Sequence, residues 1–201
     1  MIRLFVGIEV PEELRRRMVL IQTGIERAKW AAEENLHLTL RFIGEISDDA
    51  AADAEEALST IHTPPFPVTV DGAGHFESRK RVRALWLGIE RSDALLNLRD
   101  RVDSALVRAG IEPERRKYKP HITIARLNNA SPGSVRGWLA SNTMFRAVPV
   151  TVESFILFSS HLSRDKAIHT AEAKFPLSTE SANVPTASWA PADFFLSGKQ
   201  D

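Results

Sequence analysis

A chain of 201 residues that is 43% hydrophobic can bury a core as one domain or as two closely packed lobes. Its 26 Lys and Arg balance 26 Asp and Glu, so no global field draws it to nucleic acid and any such attraction must be local. The absence of cysteine excludes disulfides and thiolate metal sites. The opening Met1-Ile2-Arg3-Leu4-Phe5-Val6-Gly7 lacks the marks of a signal peptide and no run approaches about 18 apolar residues, so a cytoplasmic protein without membrane association is expected.

Ile2 to Ile8 reads as a buried strand closed by Glu9-Val10-Pro11, with Pro11 at the first turn of a helix. The spacing of Leu14, Met18, Ile21 and Ile25 predicts one helix from about Glu12 to Trp30, with Arg15, Arg16 and Arg17 mostly off its apolar stripe. Asn35-Leu36-His37-Leu38-Thr39-Leu40 alternates polar and apolar residues, the signature of a half-buried strand. Its leucines face a core, and His37 and Thr39 share the open face, roughly 7 Å apart. Gly44 breaks that pattern, and Ser47-Asp48-Asp49 caps an alanine-rich helix from about Asp49 to Ile61.

Pro64, Pro65 and Pro67 punctuate a turn. Phe66 to Val70 and Val82 to Ile89 then read as strands flanking Asp71-Gly72-Ala73-Gly74-His75-Phe76, whose glycines predict a tight turn or bulge. Arg79, Lys80, Arg81 and Arg83 suit a solvated hairpin tip better than a phosphate-attracting rim. Ser92 or Asp93 caps a helix to about Ala109, with Leu95, Leu98, Val102, Leu106 and Val107 on its core stripe and Gly110 beyond its end. A basic loop with Arg115, Arg116, Lys117 and Lys119 runs into Pro120-His121-Ile122-Thr123-Ile124, a second copy of the first motif. Ser131-Pro132 opens a helix to about Ala140, and Phe145 to Ser159 and Lys166 to Phe175 read as a strand pair joined near His161-Leu162-Ser163-Arg164-Asp165. From Ser178 the chain turns to Ser, Thr, Ala, Asn and Pro without a period. The expected division is therefore one two-lobed domain over 1–177 and a tail over 178–201, where Trp189, Phe194 and Phe195 are candidates to dock on the body.

A single His-x-Thr in a strand is ordinary, because Thr is a good strand former. Two copies are informative. His37 and His121 lie 84 positions apart (121 minus 37) and the opening strands at Ile2 and Arg83 are offset by 81 (83 minus 2), which points to an internal duplication. Two strands that each offer an imidazole and a hydroxyl can grip a small anion from both sides. Imidazoles with ordinary pKa values near 6.5 divide acid and base work at neutral pH. A cyclic phosphodiester suits the pair: one histidine deprotonates water for in-line attack, the other protonates the departing ribose oxygen, and Thr39 and Thr123 hold the non-bridging oxygens. A catalytic metal is disfavoured, since the motifs offer two nitrogens without an Asp or Glu companion and His62, His75, His161 and His169 are scattered. A nucleotide-driven ligase is disfavoured too, with no Gly-x-x-x-x-Gly-Lys loop and Thr69 where Lys-x-Asp-Gly needs lysine. Strict alternation puts Arg41 on the open face beside Thr39 and Arg126 on the opposite face.

His37-Leu38-Thr39-Leu40 and His121-Ile122-Thr123-Ile124 resemble the paired motifs of the two-histidine phosphoesterase superfamily. The flanks Asn35-Leu36 to Gly44-Glu45 and Pro120 to Arg126 resemble its RNA 2′,3′-cyclic phosphodiesterase branch, historically called 2′-5′ RNA ligases. Gly72-Ala73-Gly74-His75-Phe76 with Trp86, and Phe158-Ser159-Ser160 ahead of Phe175-Pro176-Leu177, match more loosely. The resemblance, over Arg3 to about Leu177, implies a bilobal α+β fold with two mainly antiparallel sheets around a central cleft and helices outside. It implies metal-independent and cofactor-free hydrolysis of RNA 2′,3′-cyclic phosphate ends to 2′-phosphomonoesters, with ATP-independent 2′-5′ joining as the reverse reaction. His37 would be the proton donor, His121 the acceptor, Thr39 and Thr123 the phosphate-oxygen ligands and Arg126 a phosphate-binding residue, with Arg41 a second candidate. Partners would be RNA with cyclic phosphate ends, tRNA fragments and nucleotides included, and the protein a monomer. The family often has Gly and Tyr between Arg164 and His169, and this chain has neither. A reading from another class is a nucleotide or RNA-end binding module that keeps the cleft without turnover; the presence of both histidines favours the enzyme.

Overall fold

In the computed structural model, which describes residues 1–162 and 167–179, strands and helices follow one another in two rhyming halves. The first half runs β1 (Ile2–Glu9), α1 (Glu12–Val19), β2 (Lys29–Trp30), a 3₁₀ turn (Glu33–Asn35), β3 (His37–Ile46), α2 (Asp48–Ser59), β4 (Phe66–Val68) and β5 (Val70–Ser78). The second runs β6 (Arg81–Ile89), α3 (Asp93–Arg108), β7 (His121–Arg126), α4 (Pro132–Asn142), β8 (Val150–Val152) and β9 (Ser154–Leu162), and β10 (Ala167–Pro176) follows without a counterpart.

The strands form one large sheet in the order β10-β9-β1-β3-β7-β6-β5, with β2 on β7, and a small sheet of β4 and β8. Every pairing among the described residues is antiparallel. The halves are interleaved, because β9 of the second lies on β1 of the first and β5 of the first lies on β6 of the second. Neither repeat therefore completes its own part of the sheet. The two parts meet where β3 faces β7 at one register pair, Leu38 opposite Ile122. That junction gives the bilobal α+β form.

The cause is the alternation in the strands. Leu36, Leu38, Leu40, Ile122 and Ile124 are buried, as are Leu95, Leu98, Val102 and Leu106 on α3, and they join one core with Val6 and Ile8 of β1. Each such side chain withdrawn from water contributes about 2 kcal/mol. The helices start at the expected serines: the hydroxyls of Ser47, Ser92 and Ser131 accept from the backbone N–H groups of Ala50, Leu95 and Ser134. Gly110 follows α3 at φ +85°. No helix among the described residues is long and apolar enough to cross a membrane.

Three local expectations fail. The first helix stops at Val19, with Gly24 and Arg27 at φ +82° and +58°, and Trp30 pairs with Ala125 as part of β2. Ile25 is buried from a loop, so its helical spacing reported burial and not helix. The hairpin tip expected at Arg79 to Arg83 does form, since the β5–β6 turn falls at Arg79 and Lys80 with the φ values of +52° and +60° of a type I′ hairpin. Of the turn or bulge expected at the glycines it is the bulge that forms, at Gly72 inside β5. Gly44, at φ +94°, sits within β3 beside a register shift and does not end the strand. Phe145 to Ser159 is broken between β8 and β9 at Glu153. Ser163 to Lys166, and Glu180 to Asp201 with Trp189, Phe194 and Phe195, lie outside the described residues.

Candidate active site

β3 and β7 carry the same sequence of burial. His37 and His121 are half-buried, the next residue is buried, Thr39 and Thr123 are half-buried, the following two are buried, and Phe42 and Arg126 are exposed. Two successive buried residues mark a bulge. Val6 faces Arg41 and Gly7 faces Thr39, which skips Leu40; Leu85 faces Ala125 and Trp86 faces Thr123, which skips Ile124. Each bulge reverses the parity beyond it.

The consequence corrects the reading of the arginines. Arg41 turns away from the cleft and is only 6% exposed. Its Nε donates to Asp103 of α3 at 2.6 Å, and its terminal nitrogens donate to the carbonyls of Phe42 and Glu112. It is a packing residue. Arg126 returns to the open face, level with Ala84 and Phe76, and its charge reaches His169.

The two imidazoles are held alike. His37 Nδ1 lies 2.7 Å from the carbonyl of Asn35, and His121 Nδ1 lies 2.6 Å from the carbonyl of Lys119, in each case two residues upstream. A carbonyl only accepts, so both Nδ1 atoms carry hydrogen and Nε2 is the basic nitrogen of each neutral ring. Their surroundings differ. His37 stacks on Phe5 at 4.6 Å between centroids, Phe5 stacks on Phe158 at 5.0 Å, and His169 meets the His37 ring edge-on at 5.2 Å. His121 instead meets the edges of Phe76 at 4.8 Å and Trp86 at 6.1 Å. The Lys119 ammonium lies 4.1 Å from the centre of the Trp86 ring. Gly74 makes room for that ring: a Cβ there would stand 2.2 Å from it.

Burial pushes the His37 imidazole down to about 4, aided by the charges of His169 and His121 and opposed by the Asn35 carbonyl. Burial also lowers His121, with the Lys119 charge adding to it, and lowers His169, with Arg126 adding. The expectation of ordinary values near 6.5 is therefore corrected. The lowered values favour the neutral form of these imidazoles at pH 7.

Sequence reasoning passed over three contributors. The hydroxyl of Tyr118, the one tyrosine of the chain, donates to the carbonyl of Thr39 at 3.2 Å. With the bond from Arg41 to Glu112 it ties the loop before the second motif to the strand of the first. The Phe5–Phe158 wall and His169 come from strands remote in sequence, and although Phe158 falls in a looser family match, no local pattern sets these rings beside His37. Of the basic loop, Arg116 is paired with Glu114 at 2.7 Å. Among the described residues no three His, Asp or Glu side chains converge as metal ligands.

The arrangement has known relatives. The model of the LigT-like phosphoesterase family matches twice, over residues 8–86 and 87–169, one match for each half of the duplication. An RNA 2′,3′-cyclic phosphodiesterase of Thermotoga maritima is 33% identical over 80% of this chain and 88% of its own, and one of Escherichia coli K12 is 31% identical over 87% and 96%. The crystal structure of E. coli LigT complexed with 3′-AMP superposes with a TM-score of 0.72 at 28% identity, covering 88% of this chain and 98% of that one. By sequence, duplication and fold, the chain belongs to the LigT-like phosphoesterase family.

Proposed function

We propose that this protein hydrolyses RNA 2′,3′-cyclic phosphate ends to 2′-phosphomonoesters, with His37 as acid and His121 as base. The observation that carries the reading is the duplicated geometry: two His-Thr pairs on adjoining strands, each Nδ1 held by a backbone carbonyl, so that two Nε2 atoms serve one cleft. Water attacks phosphorus opposite the 3′-oxygen and gives its proton to His121 Nε2. The P–O3′ bond breaks and His37 Nε2 delivers its proton to that oxygen. Proton exchange with solvent resets the pair. The hydroxyls of Thr39 and Thr123 and the charge of Arg126 meet the non-bridging oxygens, and the exposed Phe42 offers a face for a base. Both proton transfers are served by imidazole, so neither a metal nor ATP is required. The same steps with a 5′-hydroxyl in place of water, its proton passing to His121 and the P–O3′ bond breaking, join it to a cyclic end as a 2′-5′ linkage. The relatives named for RNA 2′,3′-cyclic phosphate and the 3′-AMP complex support this substrate class.

The test is incubation with a 2′,3′-cyclic dinucleotide in EDTA, with the product isomer read by phosphorus NMR. A 2′-phosphate is expected, and His37→Gln and His121→Gln each slow turnover by about 10² to 10⁴. A 3′-phosphate or an equal mixture overturns the acid and base assignment. Binding without product overturns the enzyme.

A further inference from the structure

The duplication should make its two histidines equivalent, and one strand breaks that equivalence. Among the described residues β10 has no counterpart in the other half, pairs only with β9, and sets His169 opposite Ser160. From there the His169 ring meets His37 edge-on, with centroids 5.2 Å apart and planes at 89°, and meets Phe5 edge-on at 5.0 Å and 79°. Phe5 in turn lies flat on His37. His37 is thereby held on one face by a phenyl ring and on its edge by an imidazole. Among the described residues no third imidazole stands beside His121, whose ring neighbours are Phe76 and Trp86.

A second link runs between the same two strands. The carbonyl of Asn35 receives the His37 Nδ1 hydrogen, and the Asn35 side chain donates from Nδ2 to the carbonyl of Ala167 at 2.7 Å, two residues before His169. The first motif is thus tied to β10 by a hydrogen bond and a ring contact. Nδ1 of His169 is buried without a hydrogen-bond partner among the described residues, so that nitrogen is not held by the fold and the ring is placed by its edges. The charges that reach this corner are those of His37 on β3 and of His121 and Arg126 on β7; β1 and β9 present the uncharged Phe5 and Phe158.

We propose that His169 is a positioning residue for His37: its ring edge fixes the imidazole that delivers the proton to the leaving oxygen. The inference rests on the acid role of His37 proposed above. A displacement of about 1 Å in a catalytic group costs up to roughly 10²-fold in rate, so an aromatic brace on the acid is worth a measurable part of turnover while leaving substrate affinity alone.

His169→Ala and His169→Phe separate the possibilities. Phenylalanine keeps the edge contacts and discards the nitrogens. With a 2′,3′-cyclic nucleotide, His169→Ala should lower kcat about tenfold or more with KM within about twofold, and His169→Phe should recover kcat to within about threefold of wild type. In NMR titration the His37 ring should move up from about 4 in both variants, further in His169→Ala, where burial as well as the neighbouring charge is relieved. A raised KM at unchanged kcat would make His169 a substrate contact and overturn the proposal. Equal loss of kcat in both variants would give the role to a ring nitrogen and overturn it too, as would unchanged kinetics. If the wild-type protein turns over no cyclic ester, the functional reading fails on its own. The His37 titration then still decides whether His169 braces that ring.

Discussion

Arg41 and Arg126 offer a contrast in which stability and binding should separate cleanly. Arg41→Met removes a guanidinium that is buried against Asp103 at 2.6 Å and that also serves two backbone carbonyls. Losing one member of a buried pair costs about 3–5 kcal/mol when the other is stranded. Asp103 keeps a second neighbour, the Arg99 guanidinium at 3.9 Å, which puts the loss at the low end, about 3 kcal/mol. For a chain of this size that is a fall in Tm of about 6–12 °C. Turnover measured well below the melting temperature should stay within about threefold, because the side chain points away from the cleft. Arg126→Met should do the opposite. The side chain is exposed and makes no ion pair among the described residues, so Tm should move by less than about 2 °C. A charged hydrogen bond to phosphate worth about 1.5–3 kcal/mol predicts a rise in KM of roughly 10- to 100-fold. Calorimetry and steady-state kinetics on the two variants decide it. An Arg41→Met protein with unchanged Tm and raised KM would show that the bulges do not reverse the strand parity as described.

Because burial lowers both His37 and His121, kcat/KM for a cyclic nucleotide should peak below pH 6.5, and a maximum above about pH 7.5 would contradict the two lowered imidazoles. Folding stability should follow the same cause. The unfolded chain takes a proton at His37 near pH 6.5 that the native protein refuses until about pH 4, so stability is lost as pH falls through that window, by about 3 kcal/mol. Urea unfolding at pH 7 and pH 4 should show the loss in wild type and reduce it in His37→Phe; an equal loss in both would refute it. Gly74→Ala places a methyl 2.2 Å from the Trp86 ring, and overpacking of that kind costs about 1–3 kcal/mol and should displace Trp86 from His121. Tryptophan fluorescence and Tm should both change, and an unperturbed variant would mean that the ring does not lie on Gly74.

The features legible in the sequence are those that a short stretch dictates. The His-x-Thr alternations and the serine caps are local patterns that stand where their residues indicated, as does the stripe of α3 except for Val107, which is exposed while Ala105 takes the buried place. Duplication was legible from the spacing of the motifs, but the exchange of β5 and β9 between the halves was not, since a repeat says nothing about which copy a strand will join. The bulges that send Arg41 inward and Arg126 outward belong to pairs of strands, and counting along one strand gives the wrong face. The hairpin tip at Arg79 and Lys80 was legible from its run of basic residues, but which of two roles the glycines play was not: Gly72 serves a bulge, and Gly74 sits beneath the Trp86 ring, a partner on another strand.

A duplicated site begins with two like groups, whereas hydrolysis needs one acid and one base, so the chemistry depends on where the copies diverge. Opposite Thr39 stands Gly7 and opposite Thr123 stands Trp86; paired with Phe42 is Phe5, and paired with Arg126 is Ala84. The first histidine is thereby walled by Phe5, Phe158 and the added β10, whereas the second sits beside an indole and an ammonium group. An imidazole shut away from water gives up its proton readily once it carries one, which suits delivery to an alkoxide leaving group. Its weakness is that it holds no proton at neutral pH when the site is free. The anionic ester cures that weakness by arriving with the charge that the imidazolium lacks. With His37 in the acid role proposed above, substrate binding and the arming of the acid become a single event.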